Sequence, residues 1–350
     1  MSNRGRACKL AHAMRNTSAA RTLPETTERK ILELLQLLSA NPMILVSGTR
    51  MAKQIGVSRH TVRHWVNKLR ALGVDVKGHA RTGYHLQKAA DVLMPAVLRR
   101  RLEGTAFGKH IHHFFTIGST NDAALEMAHG GAPHGSVVLA EQQTAGRGRV
   151  GRAWHSEKSN GIYMSVLLRP TLAPVEAPLI TLVAGLAARD AVAEQTGAAP
   201  DLRWPNDLLL GGKKLGGILT EMHAEPDRVH YVVVGIGVNV NHESLPADLR
   251  GIATSLRIET GRAHSRSDLV VRILRGLDGY YNQLLRQDGD AILRRFAEVS
   301  TFCVGKRVRV ATAKETFLAT TAGLEPNGVL RVTRENGKTE TVLAGDIREA

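Results

Sequence analysis

The pattern of apolar and polar positions predicts three helices and a β-hairpin in the first ninety residues. A helix is predicted over 25–38 from four apolar residues at helical spacing: Ile31, Leu34, Leu35 and Leu38. A short helix is predicted over 48–54, and Gly56 then makes a turn before Ser58, a residue type that caps helices. Two short alternating runs over 73–86 predict a hairpin. This order of elements is typical of a winged helix-turn-helix domain at 25–90.

The third predicted helix, which Ser58 begins, has one apolar and one polar face. Its apolar stripe consists of Val62, Trp65, Val66 and Leu69. In a helix-turn-helix domain the opposite face of this helix enters the major groove of DNA, and a wing approaches the phosphates. The candidate DNA-binding residues are therefore Ser58, Arg59, His60, Arg63, His64, Asn67 and Arg81. The alternative is a small helical protein-interaction module with a solvated basic face.

Beyond residue 90 the pattern mixes strands with helices and then changes to strands alone. Strands are predicted at 114–117, 135–140, 161–168, 208–210, 213–220 and 231–238, and helices at about 122–127, 175–195, 267–286 and 291–299. From residue 301, short alternating runs separated by turn residues predict a small β-barrel of about five strands. The predicted fold class is α+β, with a mixed α/β body at 91–300 and the barrel at 301–350.

Residues 1–24 lack hydrophobic periodicity and are predicted to form a basic disordered tail. They contain five Lys/Arg and no acidic residue. Such a tail adds non-specific attraction to DNA. An amphipathic organelle-targeting peptide is one alternative, and a chain that starts at Met14 is another.

Positive charge is concentrated at the front of the chain. The formal net charge is +15. Residues 25–100 contain thirteen Lys/Arg against five Asp/Glu, whereas residues 101–350 contain twenty-nine against twenty-seven. This asymmetry predicts a nucleic-acid-binding front end on a nearly neutral body.

Cysteine usage and the length of the apolar runs argue against a disulfide-rich protein and against a membrane-spanning protein. The sequence has two cysteines, Cys8 and Cys303, so no disulfide framework is indicated. Its longest apolar runs, such as 231–238, are too short to cross a bilayer, and no apolar stretch follows the first basic residues as in a secretory signal. We therefore expect a cytoplasmic protein without membrane contact.

A stretch rich in glycine and arginine, Glu141–Trp154, carries the strongest chemical signal. Three glycines alternate with three arginines in it: Gly146, Arg147, Gly148, Arg149, Gly151 and Arg152. The spelling matches the dinucleotide-binding fingerprint, but that fingerprint needs a helix directly after the glycines, and a strand pattern follows here. The Gly-Lys-Ser/Thr ending of a P-loop is also missing. Glycines that allow close approach and arginines that bind anions instead predict a phosphate or carboxylate cradle, with a solvated basic loop as the alternative.

Three further stretches place polar residues beside predicted strands. Ser119-Thr120-Asn121 precedes a helix, so these residues are either caps or donors to a polar ligand group. Lys213 and Lys214 are neighbours on a strand, so only one of them can face a pocket, where a cation would meet an anionic ligand. Asn239 follows an apolar strand and is either a turn residue or part of the same pocket.

In combination these stretches closely resemble biotin–protein ligases. The resemblance is carried by Ser119-Thr120-Asn121, by Gln143 with the glycine–arginine loop, by Trp204-Pro205-Asn206-Asp207 with Lys214, and by Gly235-x-Gly237-x-Asn239. The order of winged helix-turn-helix, ligase body and small SH3-like barrel is similar to the bifunctional bacterial form, which is both ligase and biotin-operon repressor. It implies a body of the class II aminoacyl-tRNA-synthetase and biotin-ligase type.

The resemblance implies a reaction in two steps and a set of partners. Biotin and ATP give biotinyl-5′-AMP and pyrophosphate, and biotin then passes to a lysine of the biotin carboxyl carrier protein of acetyl-CoA carboxylase. ATP and Mg²⁺ are the implied cofactors. Operator DNA is the other implied partner, bound by a homodimer that forms when the adenylate is present.

The resemblance also implies a role for each candidate residue. The implied biotin-binding residues are Ser119, Thr120, Asn121, Gln143, Arg147, Gly148, Arg149 and Lys214. Adenylation joins two anions and needs cations near both, and the implied catalytic cations are Arg147, Arg149, Arg152 and Lys214. The implied nucleotide-binding residues are Trp154, Asn206, Asp207 and Asn239, with Asp207 also a candidate metal ligand. Arg203 stands where the family usually has lysine, which keeps the charge.

Two other functions remain compatible with this pattern. One is a DNA-binding regulator that senses biotin or its adenylate without useful ligase activity. The other is a lipoate ligase, which shares the architecture. The glycine–arginine loop argues against the lipoate ligase. It also argues against the sensor, because sensing alone needs no arginines that clamp phosphates.

Overall fold

The first described part of the chain folds as three helices and a two-stranded hairpin. In this computed structural model the described residues are 25–40, 44–71, 74–87 and 91–350, so the tail predicted at 1–24 lies outside them. The elements are α1 (Glu25–Ala40), α2 (Gly48–Ile55), α3 (Arg59–Ala71), β1 (Val76–His79) and β2 (Gly83–Leu86). Gly56 ends α2 in the left-handed conformation, and Thr61 N donates to Ser58 Oγ at the start of α3. The predicted helix-turn-helix is therefore confirmed.

The helices of this N-terminal domain bury the apolar stripes that the sequence pattern predicted. Val62, Trp65, Val66 and Leu69 of α3 pack in one core with the apolar residues of α1 and with Tyr84 and Leu86 of the wing. Phe115, from the body of the protein, belongs to the same core. The N-terminal domain therefore rests directly on the body.

The body is a seven-stranded sheet with helices on both faces. Its strands are β3 (Ile111–Phe114), β4 (Ser136–Ala140), β5 (Gly161–Leu168), β6 (Asp201–Arg203), β7 (Asp207–Leu210), β8 (Lys213–Ala224) and β9 (Val229–Asn239). Their order is β3-β4-β5-β9-β8-β7-β6, and β3 and β4 are the one parallel pair that is described. The helices are α4 (Pro95–Arg101), α5 (Thr120–His129), α6 (Pro178–Thr196), α7 (Leu256–Thr260), α8 (Arg266–Leu285) and α9 (Gly289–Val299).

The central strands are covered on both faces, which explains why they read as continuous apolar runs. Val232, Val234, Ile236 and Val238 of β9 belong to the large core that includes α6 and α8. The alternate residues Tyr231 and Val233 pack on the other face against α5. Because neighbours on a strand point to opposite faces, Gly235, Gly237 and Asn239 lie on the α5 face. The helix α5 covers only one end of that face, and the candidate site occupies the rest.

The first strand of the body lies three residues earlier than the sequence pattern predicted. It spans Ile111–Phe114 rather than 114–117, and Ile117 makes a single bridge to Gln143. The prediction was wrong because two histidines interrupt the apolar pattern of this strand. One of them, His113, is buried and lies 3.0 Å from the Glu141 carboxylate, so it behaves as a core residue.

The C-terminal part is a five-stranded antiparallel sheet that shares its core with the body. Its strands are β10 (Val304–Ala311), β11 (Thr316–Leu324), β12 (Leu330–Arg334), β13 (Thr339–Val342) and β14 (Asp346–Glu349), in the order β13-β12-β11-β10-β14. Val308, Val310 and Leu330 pack in the large core of the body. Trp204 Nε1 donates to Gly328 O at 3.0 Å across the same boundary. None of the described helices is both long and apolar enough to pass through a lipid bilayer.

Candidate active site

The candidate site lies on a floor of glycines in β8 and β9. Gly217 and Gly237 are paired across the two strands. A Cβ added at Gly235 would lie 2.2 Å from Asn121 Oδ1, and one at Gly237 would lie 2.7 Å from the Trp154 indole. Such contacts are too short for any other residue, so the glycines are required by close approach rather than by a turn. They let Asn121 and Trp154 lie in close contact with the sheet.

A buried cluster of hydroxyl and amide groups forms one end of the site. Thr120 donates through its backbone N to Gln143 Oε1 at 2.8 Å, and Gln143 Nε2 donates to Ser156 Oγ at 2.8 Å. Ser165 Oγ donates to Asn121 Oδ1 at 2.6 Å. Ser119 is the N-cap of α5, with Asp122 N donating to its hydroxyl at 3.4 Å. The cap interpretation therefore holds for Ser119, while the two residues that follow it contribute polar groups to the pocket.

Arg147 closes this end of the site through an acidic pair. Its guanidinium lies 2.5 Å from Asp122 Oδ1 and 2.9 Å from Glu221 Oε2. Asn121 Nδ2 also donates to Glu221, at 2.8 Å. Burial alone would lower the pKa of Arg147, but Glu221 and Asp122 raise it, so this side chain is a permanent cation. Arg147 is thus held over the amide cluster by charge.

Arg149 and Arg152 reach the C-terminal sheet. Arg149 Nη1 lies 3.1 Å from Asp346 Oδ1 and donates to Asn206 Oδ1 at 3.0 Å. Arg152 Nη2 lies 2.6 Å from the other oxygen of Asp346. Because Asp346 begins β14, the C-terminal sheet supplies one wall of the pocket. Arg149 and Arg152 are therefore two cations held at the pocket by a single carboxylate.

Lys214 lies between a carboxylate and an indole ring at the opposite wall. Its Nζ is 2.6 Å from Asp207 Oδ1 and 5.6 Å from the centre of the Trp154 ring, while Arg203 lies 2.6 Å from Asp207 Oδ2. Burial would raise the pKa of Asp207, but Lys214 and Arg203 lower it, so the carboxylate is ionised. Trp154 Nε1 is buried without a hydrogen-bond partner among the described residues. This wall offers a cation and a free donor to a ligand.

The glycine–arginine loop is folded as a tight hairpin rather than as an open chain. Gly148 N donates to Arg152 O at 2.7 Å, and Trp154 N donates to Gly146 O at 2.8 Å. At its tip Val150 adopts φ 55° and Gly151 φ 71°. A β-branched residue seldom adopts the left-handed conformation, and the Val150 side chain is 84% exposed. The loop is therefore strained and unpacked at its tip, while its base is anchored in the site.

One cavity brings together all the residues that the resemblance assigned to biotin, nucleotide and catalysis. Its lining includes Ser119, Thr120, Asn121, Gln143, Arg147, Gly148, Arg149, Arg152, Trp154, Asn206, Asp207, Lys214 and Asn239. Three functional neighbours were not predicted: Ser165, Glu221 and Asp346. Ser165 lies in an apolar run, and its place on the α5 face is the one signal that could have identified it. Glu221 and Asp346 gave no local signal, because their partners are far away in sequence.

The candidate DNA-binding residues form an exposed surface on α3 and the wing. Arg59, His60, Arg63, His64 and Asn67 are all exposed on the face of α3 opposite its buried stripe. Arg59 Nη2 donates to Ala80 O at 3.0 Å, which fixes the tip of the wing to the start of α3. Arg81 is exposed at that tip. Ser58 is the cap of α3, so its hydroxyl is engaged by Thr61 N at 3.0 Å.

Two family models match the chain, one in each functional region. Residues 114–239 match the biotin/lipoate A/B protein ligase family, and this range contains nearly the whole pocket. Residues 29–85 match a helix-turn-helix domain family. The two matches correspond to the body and to the N-terminal domain described above.

Individual relatives are similar over most of their length. The chain is 36% identical over 307 residues to the bifunctional ligase/repressor BirA of Bacillus spizizenii, covering 87% of this chain and 94% of the relative. It is 35% identical over 257 residues to the biotin–[acetyl-CoA-carboxylase] ligase of Mycobacterium tuberculosis, covering 71% and 93%. The solved biotin protein ligase of Aquifex aeolicus, in complex with biotin and ATP, superimposes with a TM-score of 0.60 at 26% identity, covering 69% of this chain and all of that chain.

Proposed function

The chain belongs to the family of bifunctional biotin–protein ligases and repressors, and from this premise we propose that its pocket activates biotin with ATP and delivers it to a carrier protein. Biotin's carboxylate attacks the α-phosphate of ATP, pyrophosphate leaves, and biotinyl-5′-AMP remains. The amine of a carrier lysine then attacks the acyl carbon, and AMP leaves. The observation that carries this proposal is one cavity with an uncharged hydrogen-bonding end and a cationic end.

The uncharged end suits the biotin head group. Thr120 and Asn121 present buried hydroxyl and amide groups, Gln143 presents a partly buried amide, and Ser165 orients Asn121. A ureido ring needs both donors and acceptors, and amide side chains provide both. Leu219, which lines the cavity and is paired with Gly235 across the sheet, is an apolar neighbour for the vitamin's hydrocarbon chain.

The cationic end suits the reaction between two anions. A carboxylate and a triphosphate repel each other, so the rate depends on fixed positive charge at the place where they meet. Lys214 from the sheet and Arg149 from the loop line this cavity, while Arg147 lies over its hydrogen-bonding end. Their carboxylate partners hold them in place before the substrates bind. Closure of the loop also keeps water from the reactive mixed anhydride.

Mg²⁺ fits the substrate better than it fits Asp207. Both oxygens of this carboxylate are occupied, one by Lys214 and one by Arg203, each at 2.6 Å. The carboxylate therefore positions Lys214, and it offers a divalent cation little net negative charge. Mg²⁺ commonly keeps several waters and binds through substrate phosphates, where it neutralises the leaving pyrophosphate. Asp207 is thus better explained as a positioning residue than as the metal ligand expected from the sequence.

Biotin-dependent exchange of labelled pyrophosphate into ATP tests this function. We expect exchange with biotin and none without it. Lys214→Ala should lower the exchange rate by about 10²–10³-fold, as when one group that stabilises transition-state charge is removed. Lys213→Ala is the matched control, since it removes the neighbouring lysine that lies outside the cavity, and its rate should be unchanged. Exchange with lipoate instead of biotin, or none with either, would overturn the proposal.

The same chain carries a DNA-binding domain, and we propose that it represses transcription in response to biotin. The exposed basic face of α3 and the wing support this second activity, as does the match to a helix-turn-helix family. We further propose that operator DNA binds a homodimer that the adenylate stabilises.

We also propose that the carrier is the biotin carboxyl carrier protein of acetyl-CoA carboxylase. The C-terminal sheet is, in this proposal, a small SH3-like barrel. The meander from β10 to β13, with β14 returning to pair with β10, supports the barrel.

A further inference from the structure

Three potential metal ligands lie together beside the pocket, on residues to which biotin ligation assigns no role. His155 and Glu157 directly follow the glycine–arginine loop, and His242 follows β9. Each side chain offers one ligand atom, and these atoms all lie within 4.8 Å of one another. The centres of the two imidazole rings are 6.0 Å apart. Two histidines and one carboxylate are a ligand set that Zn²⁺ uses in proteins.

His242 gives a second, independent indication of a ligand. Its side chain is fully buried, and neither ring nitrogen has a hydrogen-bond partner among the described residues. Buried polar atoms are nearly always satisfied by protein, by ordered water or by an ion. Leaving such a group unpaired costs about 1–3 kcal/mol. A histidine with both nitrogens unpaired, next to a second histidine and a carboxylate, is therefore explained best by an ion between them.

One buried cation, Arg266, lies near enough to act electrostatically on His242. Its own charge is balanced by Glu141 at 2.8 Å and Asp91 at 3.0 Å. A divalent cation at the cluster would therefore meet no uncompensated positive charge from that arginine.

We propose that His155, Glu157 and His242 bind one divalent transition-metal ion of the zinc class, with a fourth position open to water. Zinc–nitrogen and zinc–oxygen bonds of about 2.0–2.2 Å set the distance between tetrahedral ligand atoms at about 3.4 Å. The three side chains must therefore close slightly around the ion. Glu157 is exposed and His155 partly exposed, so both can rotate, whereas the buried His242 is the fixed member.

The ion would connect two segments that line the pocket. His155 is adjacent to Trp154, whose indole covers Gly237. His242 lies in a segment that is already anchored, because Ser255 Oγ donates to His242 O at 2.7 Å and Val240 N donates to Asn160 O at 3.1 Å. The metal would tie the end of the glycine–arginine loop to this anchored segment. It therefore acts on the order of the loop and supplies no step of the ligase reaction.

Zinc binding to the full-length protein, stripped of metal and freed of any histidine tag, tests the proposal. Titration calorimetry and elemental analysis after gel filtration should find one equivalent of tightly held Zn²⁺, and Co²⁺ should give the visible absorption of a tetrahedral complex. Glu157→Gln and His155→Gln change exposed or partly exposed side chains, so folding should be retained. Each should weaken Zn²⁺ affinity by at least about tenfold.

The matched control is Glu225→Gln. Glu225 is also an exposed carboxylate beside a histidine, 3.1 Å from His230, but it lies away from the cluster. The Glu225→Gln variant should bind Zn²⁺ as tightly as the unchanged protein. Two results would overturn the proposal: no tight Zn²⁺ in the unchanged protein, or equal binding after Glu157→Gln and His155→Gln. The second result would assign the ion to other groups.

Discussion

At the scale of single residues, two glycines of β9 determine which side chains can enter the pocket. Gly235 leaves room for Asn121 at the uncharged end, and Gly237 leaves room for Trp154 at the other. The sequence identified the cationic and amide side chains of the pocket, because the glycine–arginine loop seldom occurs together with these polar stretches. It could not identify Asp346, because the ion pair with Arg149 joins residues 197 positions apart. The strand pattern alone did not decide between Lys213 and Lys214, whereas the family resemblance assigned Lys214, the one that lines the cavity.

Gly235→Ala should displace Asn121 and weaken biotin binding by at least about tenfold, since one or more buried hydrogen bonds to the vitamin would be lost. Titration calorimetry with biotin measures this change. Gly279→Ala in α8 is the matched control, because an added Cβ there meets no atom within 4 Å. Unchanged biotin affinity in Gly235→Ala would contradict the position given to Asn121.

Gly237→Ala should affect the nucleotide more than the vitamin. Its Cβ would lie 2.7 Å from the Trp154 indole, so the ring must move away from the sheet. We expect the KM for ATP in the exchange reaction to rise at least about tenfold, because one favourable stacking or hydrogen-bonding contact with the nucleotide would be lost. Biotin affinity should stay within about threefold. The reverse pattern, with biotin binding lost and the KM for ATP unchanged, would exchange the two ends of the pocket.

At the scale of elements, a buried ionic network joins the start of the glycine–arginine loop to the segment that follows the DNA-binding domain. Arg266, at the start of α8, is fully buried and lies 2.8 Å from Glu141 and 3.0 Å from Asp91. Glu141 also accepts a hydrogen bond from Leu93 N at 2.9 Å. Helices and strands with clear periodicity were predicted well, and β3 and this network were not. Buried charge and histidine look like surface residues in a sequence, and only their partners in three dimensions reveal them.

Glu141→Gln should destabilise the fold in a way that depends on pH. Burial would raise the pKa of Glu141, but Arg266 and His113 hold it at about 2, compared with an ordinary value of 4.5. Because the folded-state pKa is lowered, this carboxylate contributes stability above about pH 4.5 and loses it as the pH falls toward 2. At pH 7 the free energy of unfolding of the variant should be lower by about 3 kcal/mol, which is the lower end of the cost of breaking a buried ion pair.

Urea denaturation at several pH values measures this contribution. The difference in unfolding free energy between the unchanged protein and Glu141→Gln should narrow as the pH falls below 4.5. Glu298→Gln is the control, since its carboxylate is 64% exposed and pairs only weakly with Arg295 at 3.4 Å. A difference that stays constant from pH 7 to pH 3 would contradict the buried ionised state of Glu141.

At the scale of the whole molecule, the charged front end and the nearly neutral body are in direct contact. Lys158, just beyond the glycine–arginine loop, donates to Ala71 O at the end of α3. The segment that follows the glycine–arginine loop therefore touches the end of α3. The net charge of the two regions was evident from the sequence, whereas this contact between them was not, because it joins residues 87 positions apart.

Arg63→Ala should separate the two activities. Arg63 is exposed in the middle of the polar side of α3, opposite its buried stripe, so its loss should reduce operator affinity by about 1–3 kcal/mol, or roughly five- to 150-fold. Fluorescence anisotropy with operator DNA, biotin and ATP measures this, and pyrophosphate exchange should be unchanged. Arg294→Ala removes an exposed arginine from α9 and should leave DNA binding as it was. Equal loss in both variants would contradict a specific role for α3.

The most direct test of the central claim is the mass of a biotin carboxyl carrier domain after incubation with this protein, biotin, ATP and Mg²⁺. We predict a gain equal to one biotinyl group on one lysine, dependent on ATP and greatly slowed by Lys214→Ala but not by Lys213→Ala. A carrier whose mass is unchanged, while the protein still binds biotin, would contradict it and leave a biotin-sensing regulator in place of a ligase.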